Sequence, residues 1–233
     1  MPDPVRCIET GGVTEILIDR PPVNALDLDA IRSLKSAFEG ADRQLPVVLM
    51  GSGAAFSAGV DTRAFVAYAP VEKAEMIRTI TGMTAAILAH PAPVVAAVNG
   101  HALGGGFVLM LCADTRLIAD RPDARFGLTE ARAGVPFPAG PLEIIRHEIE
   151  PNLLRRLTLT SETIGAADLH QAGIADALVL PEDLHATARE RALETASQPG
   201  FVTVKRQIRG VLAGKVAALA RTGDDPFAAS FET

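Results

Sequence analysis

Two glycine-rich stretches, "GSGAAFSAGVD" (residues 51–61) and "NGHALGGGF" (residues 99–107), each follow an apolar run that reads as a buried strand. The second sets Gly104, Gly105 and Gly106 directly in front of the apolar run "FVLML". A glycine inside a helix costs about 1 kcal/mol relative to alanine, so glycines at this point suggest a bare backbone closely approached by something else. Turns after strands are where open α/β folds place ligands. Neither stretch is a nucleotide signature: "GSGAAF" lacks the third glycine of the dinucleotide fingerprint, and neither carries the lysine and Ser/Thr of a phosphate-binding loop. What both offer is backbone N–H groups with little side-chain bulk, and the second opens into a helix whose N-terminal dipole favours negative charge. Two such donors converging on one oxygen make an oxyanion hole, which contributes about 3 kcal/mol when charge develops on that oxygen.

Glu130 in "FGLTEARAGV" (residues 126–135), taken alone, reads as a first-turn glutamate, favourable at a helix N-terminus. Ser57 invites a nucleophile reading, but the chain has no G-x-S-x-G elbow and no assignable His/Asp partner. His101 reads as a packing residue beside the glycines, and Asp61 and Asp114 as helix caps or loop anchors. His90, His147, His170 and His185 lie in helical text and read as solvated or structural.

The elements that must position these groups alternate between strand and helix. "VRCIET" and "VTEILIDR" flank a Gly-Gly turn and predict a hairpin. "DLDAIRSLKSAFEGAD" spaces Ile31, Leu34, Phe38 and Ala41 for a helix behind Asp caps. "PVVLMGSG" and "PVVAAVNG" predict short strands buried in a parallel sheet, with the helix "VEKAEMIRTITGMTAAILAH" between them. A helix after the glycines ends near Asp114 and is followed by the strand "TRLIAD". Phe107 to Leu111 are apolar all round and read as core. From about Pro138 the text turns helical, interrupted by the strand "IADALVL" (residues 174–180). The stretch "VDTRAFVAYAPVEK" (residues 60–73) is too irregular to place. The pattern is that of an α/β fold.

At 233 residues with 48% hydrophobic content, the chain is long enough for a sizeable core. A formal net charge of −6 without long blocks of like charge argues against nucleic-acid or anionic-membrane binding. Only Cys7 and Cys112 are present, at no disulfide or metal-ligand spacing; no metal site is expected, and a reducing, cytoplasmic compartment is. The start "MPDPVRCIET" reads as no secretory signal, and no apolar run reaches the length of a membrane span.

Six stretches occur in the order and spacing of one family: "RPPVNAL" (20–26), "AFSAGVD" (55–61), "NGHALGGG" (99–106), "CADTRLIAD" (112–120), "FGLTEARAGV" (126–135) and "AGIADALV" (172–179). The chain thereby resembles the enoyl-CoA hydratase/isomerase, or crotonase, superfamily over nearly its whole length. The resemblance implies a spiral of ββα units over residues 1–180, and a C-terminal helical region over 181–233 for packing and oligomerisation. It further implies homotrimers or dimers of trimers, acyl-CoA thioester substrates, and no cofactor beyond the coenzyme A of the substrate. It places the oxyanion donors at the backbone N–H groups of Ser57 and Gly105, the acyl thioester along Ser57, Ala58, Gly59 and Val60, and the CoA moiety near Val23 and Ala25. The chain is short for the superfamily, so its last helices, ending at "DDPFAASFET" (224–233), are expected to cover the site less completely.

The hydratases of that family carry two glutamates. Here the first position is Val108 and the second is Glu130. Water addition calls for groups that both activate water and deliver a proton, whereas moving a double bond asks for one carboxylate. The wording around Glu130 resembles the mitochondrial-type Δ3,Δ2-enoyl-CoA isomerases, and isomerisation is the expected reaction. Two alternatives stand beside it: a hydratase or other enolate-forming enzyme in which Glu143 or Asp61 supplies the missing carboxylate, and a non-catalytic acyl-CoA binder. A dry pocket walled by Phe107 to Leu111 would raise the pKa of a nearby carboxylate.

Overall fold

The two strands across Gly11 and Gly12 pair antiparallel, Val5 opposite Ile18, as β1 (Val5–Thr10) and β2 (Val13–Ile18) of a computed structural model that describes residues 3–223 and 225–226. Asp27 then accepts a 2.9 Å hydrogen bond from the Ala30 amide and starts α1 (Leu28–Gly40), which buries Ile31, Leu34 and Phe38 on one face. The chain continues through β3 (Val47–Gly51), β4 (Ala55–Ser57), α2 (Thr62–Ala67), α3 (Pro70–Leu88), β5 (Val94–Val98), β6 (His101–Leu103) and α4 (Gly105–Cys112). Next come β7 (Thr115–Ala119), β8 (Phe126–Gly127), α5 (Glu130–Ala133), α6 (Ala139–Glu148), α7 (Pro151–Leu159) and β9 (Thr163–Ile164). The last elements are α8 (Ala166–Gln171), β10 (Ala177–Val179), α9 (Leu184–Ala196) and α10 (Phe201–Thr222).

Six strands form one sheet in the order β1-β2-β3-β5-β7-β10, parallel beyond the hairpin. Four short strands form a second sheet, β4-β6-β8-β9, in which β9 alone runs antiparallel. The strands β3, β5 and β7 each run into a short strand of the second sheet, β4, β6 and β8, before the chain turns into a helix. This is the expected succession of ββα units. The second sheet went unseen in the sequence because strands of two or three residues carry no readable period.

The central strands β3 and β5 are apolar throughout because both faces of the sheet are covered there. Ile16, Ile18, Leu49, Ala96, Val98 and Ile118 belong to the inner core with α1, α3 and α4. Val13, Val48, Val95, Ala97 and Leu117 face outward, under Leu184, Ala188 and Ala192 of α9 at i, i+4 and i+8. The second C-terminal helix, α10, packs on α3 and α6 and buries Leu212 and Val216. Neither α9 nor α10 lines the cavity described below, and of the segment that ends them, "DDPFAASFET", only Asp225 and Pro226 are among the described residues. No helix among the described residues is long and apolar enough to cross a membrane.

Candidate active site

The glycines in front of α4 bring two backbones together. Gly104, the residue before the helix, sits at φ +51°, a conformation that L side chains rarely adopt. A Cβ at Gly106 would lie 2.2 Å from the Ser57 carbonyl oxygen, so only glycine lets the first turn of α4 press against the end of β4. Gly105 is the first residue of the helix, where an amide has no intrahelical acceptor. Its N–H is free of any hydrogen bond to the described protein groups outside the helix.

A second free amide lies beside it. Leu26 and Val60 form an isolated parallel bridge in which the Leu26 amide donates to Gly59 O (2.8 Å) and the Asp61 amide donates to Leu26 O (2.9 Å). That pattern uses the peptide groups on either side of Val60 and directs the Val60 N–H away from Leu26. A Cβ added at Gly105 would lie 3.6 Å from the Val60 nitrogen. The amides of Val60 and Gly105 thus lie side by side at the cavity and make a candidate donor pair.

Glu130 approaches that point from the start of α5. A Cβ at Gly104 would meet its Oε1 at 3.1 Å. The short helix is tethered through Arg132, whose amide donates to Ser161 Oγ (3.1 Å) and whose Nη2 donates to Ser161 O (2.6 Å). The Glu130 Oε2 is buried without a hydrogen-bond partner. Burial raises its pKa from an ordinary 4.5 to about 7, partly opposed by a bond to its own backbone amide.

These groups border a cavity of about 100 Å³, against the roughly 10–15 Å³ that one water requires. Leu26, Val60, Phe65, Ile80, Met83 and Phe137 contribute to its largely apolar wall, and among the described residues Glu130 is the only ionisable side chain lining it. Val108 also lines it, one helical turn beyond Gly104 and 2% exposed. The irregular stretch that defied placement supplies α2 and the start of α3, with Thr62 and Phe65 on the cavity wall.

The expected site residues are distributed unevenly around it. Gly105, Glu130, Ala58 and Val60 line the cavity; Ser57, Gly59, Val23 and Ala25 do not. Ser57 is fully buried in the pairing of β4 with β6, and its hydroxyl donates to Asn24 O (2.7 Å) while accepting from the Gly59 amide (3.1 Å). Ser57 pairs with Ala102 of β6 and does not line the cavity, whereas Val60 does. Val23 is 43% exposed and its carbonyl holds the Ala58 amide (2.9 Å). Ala25 O accepts from Arg20 (2.7 Å).

The carboxylates considered as second acid/base groups are engaged elsewhere. Asp61 caps α2 through the Ala64 amide (3.0 Å) and pairs with Arg20 (3.1 Å); those bonds, the backbone one first, hold its pKa below the usual range. Glu143 pairs with Lys215 at 2.6 Å. His101 accepts from the Arg125 amide (3.1 Å), and His90 meets the Leu45 carbonyl (3.0 Å), its pKa lowered by burial. Asn24 is the organiser that sequence reasoning missed: fully buried at φ +52°, its Nδ2 donates to Ser52 O (2.9 Å) and Ala55 O (2.8 Å). Asparagine is enriched at positive φ, and that was the available signal.

The family model for enoyl-CoA hydratase/isomerase matches residues 9–220. Carnitinyl-CoA dehydratase of Escherichia coli (strain K12) is 32% identical over 213 residues, which cover 89% of this chain and 80% of that protein. The glyoxysomal fatty acid beta-oxidation multifunctional protein MFP-a of Cucumis sativus is 34% identical over 193 residues, 80% of this chain. The match spans only 26% of that longer protein. A Mycobacterium tuberculosis protein, described in one structure as an enoyl-CoA isomerase and in another as a probable enoyl-CoA hydratase, superposes in the first with a TM-score of 0.84 at 28% identity, covering 96% of this chain and 98% of the other. Human mitochondrial Δ3-Δ2-enoyl-CoA isomerase shares the fold, with a TM-score of 0.85 at 22% identity over 98% of this chain and 95% of its own. With the ββα spiral, the glycine-built turn at α4 and a family match over most of its length, the chain belongs to the enoyl-CoA hydratase/isomerase family of the crotonase superfamily.

Proposed function

We propose that the protein is an acyl-CoA double-bond isomerase that converts a 3-enoyl-CoA into the trans-2-enoyl-CoA. Glu130, as carboxylate, takes a proton from carbon 2; the electron pair of that C–H bond moves toward the thioester and gives a dienolate. The N–H groups of Val60 and Gly105 hold the oxygen of the dienolate, in place of the Ser57 and Gly105 pair expected from sequence. Glu130 then returns the proton to carbon 4, and no atom is gained or lost. Coenzyme A is part of the substrate, and no further cofactor enters the steps.

The observation that carries this reading is Glu130, alone among the ionisable described residues in lining an apolar cavity. Its raised pKa suits a group that must both accept and deliver a proton near neutrality. Val108 occupies the place where hydration would call for a partner carboxylate, and neither Asp61 nor Glu143 lines the cavity. Assembly as a homotrimer or dimer of trimers belongs to the same proposal; Val204, Ile208 and Val211, exposed at i, i+4 and i+7 of α10, are in keeping with it.

Similarity to a carnitinyl-CoA dehydratase makes reaction with water the second reading. The test is incubation with trans-3-hexenoyl-CoA and, separately, trans-2-hexenoyl-CoA, followed by mass and by conjugated-enoyl absorbance. Conversion of the 3-enoyl thioester without change of mass, and little gain of water by the 2-enoyl thioester, is expected. Rapid gain of one water by the 2-enoyl thioester would reverse the order of the two readings, and silence with both despite binding would leave a non-catalytic binder.

A further inference from the structure

The far end of α4 lies in a cluster of charged groups that the proposed reaction does not use. Arg209, on α10, donates from Nη1 to the carbonyls of Cys112 (3.0 Å) and Ala113 (3.0 Å), and from Nη2 to that of Leu111 (3.1 Å). Arg116, on β7, adds a 3.0 Å bond to the Leu111 carbonyl. These carbonyls belong to the last turn of the helix and the residue after it, where no intrahelical donor is available. The guanidinium of Arg209 is itself held by Asp114 (3.2 Å) and Glu148 (3.0 Å), and Glu148 also pairs with Arg116. Lys205, one turn earlier on α10, completes the cluster by donating to Asp114 (2.5 Å) and to the Ala92 carbonyl (3.1 Å). The side chains of Arg209 and Lys205 are only 11% and 8% exposed.

The helix between this cluster and the cavity is short. Its eight residues span about 12 Å at 1.5 Å per residue. From Gly106 to Cys112 every residue is buried and apolar, so its lateral contacts are non-directional. The two glycines that open it contribute no side chain to interlock with a neighbour. Its start is held by the Gly104 amide, which donates to Gly127 O (2.9 Å), and the far end by this larger set of side-chain bonds, where cations also complement its dipole.

We propose that Arg209 is a positioning residue for the oxyanion hole: reaching from α10, it sets the position of α4 and thereby the aim of the Gly105 N–H. This rests on the reading of Gly105 as an oxyanion donor. A displacement of about 1 Å at a reacting centre is enough to lower a rate by about two orders of magnitude, so a helix released at one end has a measurable effect at the other.

The test compares Arg209→Met, Arg209→Lys and Lys205→Met with the unaltered protein. Steady-state kinetics with trans-3-hexenoyl-CoA gives kcat and KM. The absorption band of bound trans-2,trans-4-hexadienoyl-CoA reports hydrogen bonding at the thioester carbonyl, moving to longer wavelength as that oxygen is polarised. Arg209→Met is expected to lower kcat about tenfold, with KM within a factor of about two, and to lose most of the wavelength shift. Arg209→Lys keeps the charge without the fork and is expected to recover part of both. Lys205→Met, equally buried but without a bond to α4, is expected to lower stability while leaving kcat and the shift unchanged. A folded Arg209→Met with the unaltered protein's kcat and shift would overturn the proposal. So would a loss in Lys205→Met equal to that in Arg209→Met; if Arg209→Met does not fold, an unaltered shift in Arg209→Lys decides against it. Absence of a shift in the unaltered protein on binding would instead overturn the oxyanion reading itself.

Discussion

Replacing Glu130 by glutamine is expected to lower kcat for 3-enoyl-CoA isomerisation by about a thousandfold, with the Kd for acyl-CoA changed less than about threefold. The amide is close in shape to the carboxyl, so the cavity keeps its form, but it can neither take the proton from carbon 2 nor return it to carbon 4. One side chain serves both steps, which places the loss toward the upper part of the range for acid/base groups. In the unaltered protein kcat/KM is expected to rise with pH through about 7 and then level, as the Glu130 carboxyl, pushed up to about 7 by burial, becomes the active base. The same shift has a consequence for stability. Below about 4.5 the carboxyl is protonated in both folded and unfolded chains; between 4.5 and about 7 the unfolded chain releases the proton while the folded one keeps it, so folding weakens as pH rises through that window and stays weakened above it. Glutamine carries no such penalty. Glu130→Gln should therefore melt several degrees higher at pH 8 and show a smaller advantage at pH 4, a trade of stability for activity that thermal unfolding at the two pH values checks. Residual turnover above about a tenth in a folded variant would remove Glu130 from the reaction.

Gly105→Pro is expected to lower kcat by about a hundredfold or more, the loss that follows removal of one oxyanion donor. Proline is well tolerated at the first position of a helix, where its missing N–H has no intrahelical role. Gly105 is not among the residues with positive φ, and a Cβ there makes ordinary contacts at 3.6–3.7 Å with Val60 and Gly59. The substitution thus removes a hydrogen-bond donor from the cavity while leaving the helix start feasible. Gly105→Ala retains the N–H and is the matched control, expected to stay within about fivefold of the unaltered protein. Equal losses in the two variants would assign the effect to side-chain bulk, and unchanged turnover in Gly105→Pro would refute the donor role.

Much of this site was legible because it is written in residue types with few other uses. Three glycines leading into an apolar helix, a glutamate opening the turn after "FG", and Asp27 ahead of helical spacing each have a local physical reason, and each stands at its expected element. The long buried strands were equally plain, since coverage on both faces leaves them no polar alternation. What stayed hidden depends on pairing over distance. Whether Ser57 or Val60 offers its N–H to the cavity is decided by which peptides β6 and Leu26 engage, and neither residue type encodes that. The same holds for Arg209, which lies 97 positions from the Cys112 carbonyl it holds and reads in sequence as an ordinary helical cation. The second sheet was lost for a different reason: β8 and β9 are two residues each, too short for any periodicity.

The central claim is that one carboxyl, buried and without a hydrogen-bond partner at Oε2, carries a proton from carbon 2 to carbon 4. It is tested most directly with trans-3-hexenoyl-CoA bearing two deuterium atoms at carbon 2, turned over in ordinary water and sampled within the first turnovers. The expected product is trans-2-hexenoyl-CoA with one deuterium kept at carbon 2 and a substantial fraction of the other found at carbon 4, because a shielded Glu130 exchanges slowly with solvent. A product with no deuterium at carbon 4 from the earliest sample onward, or one that has gained the mass of water, would contradict it.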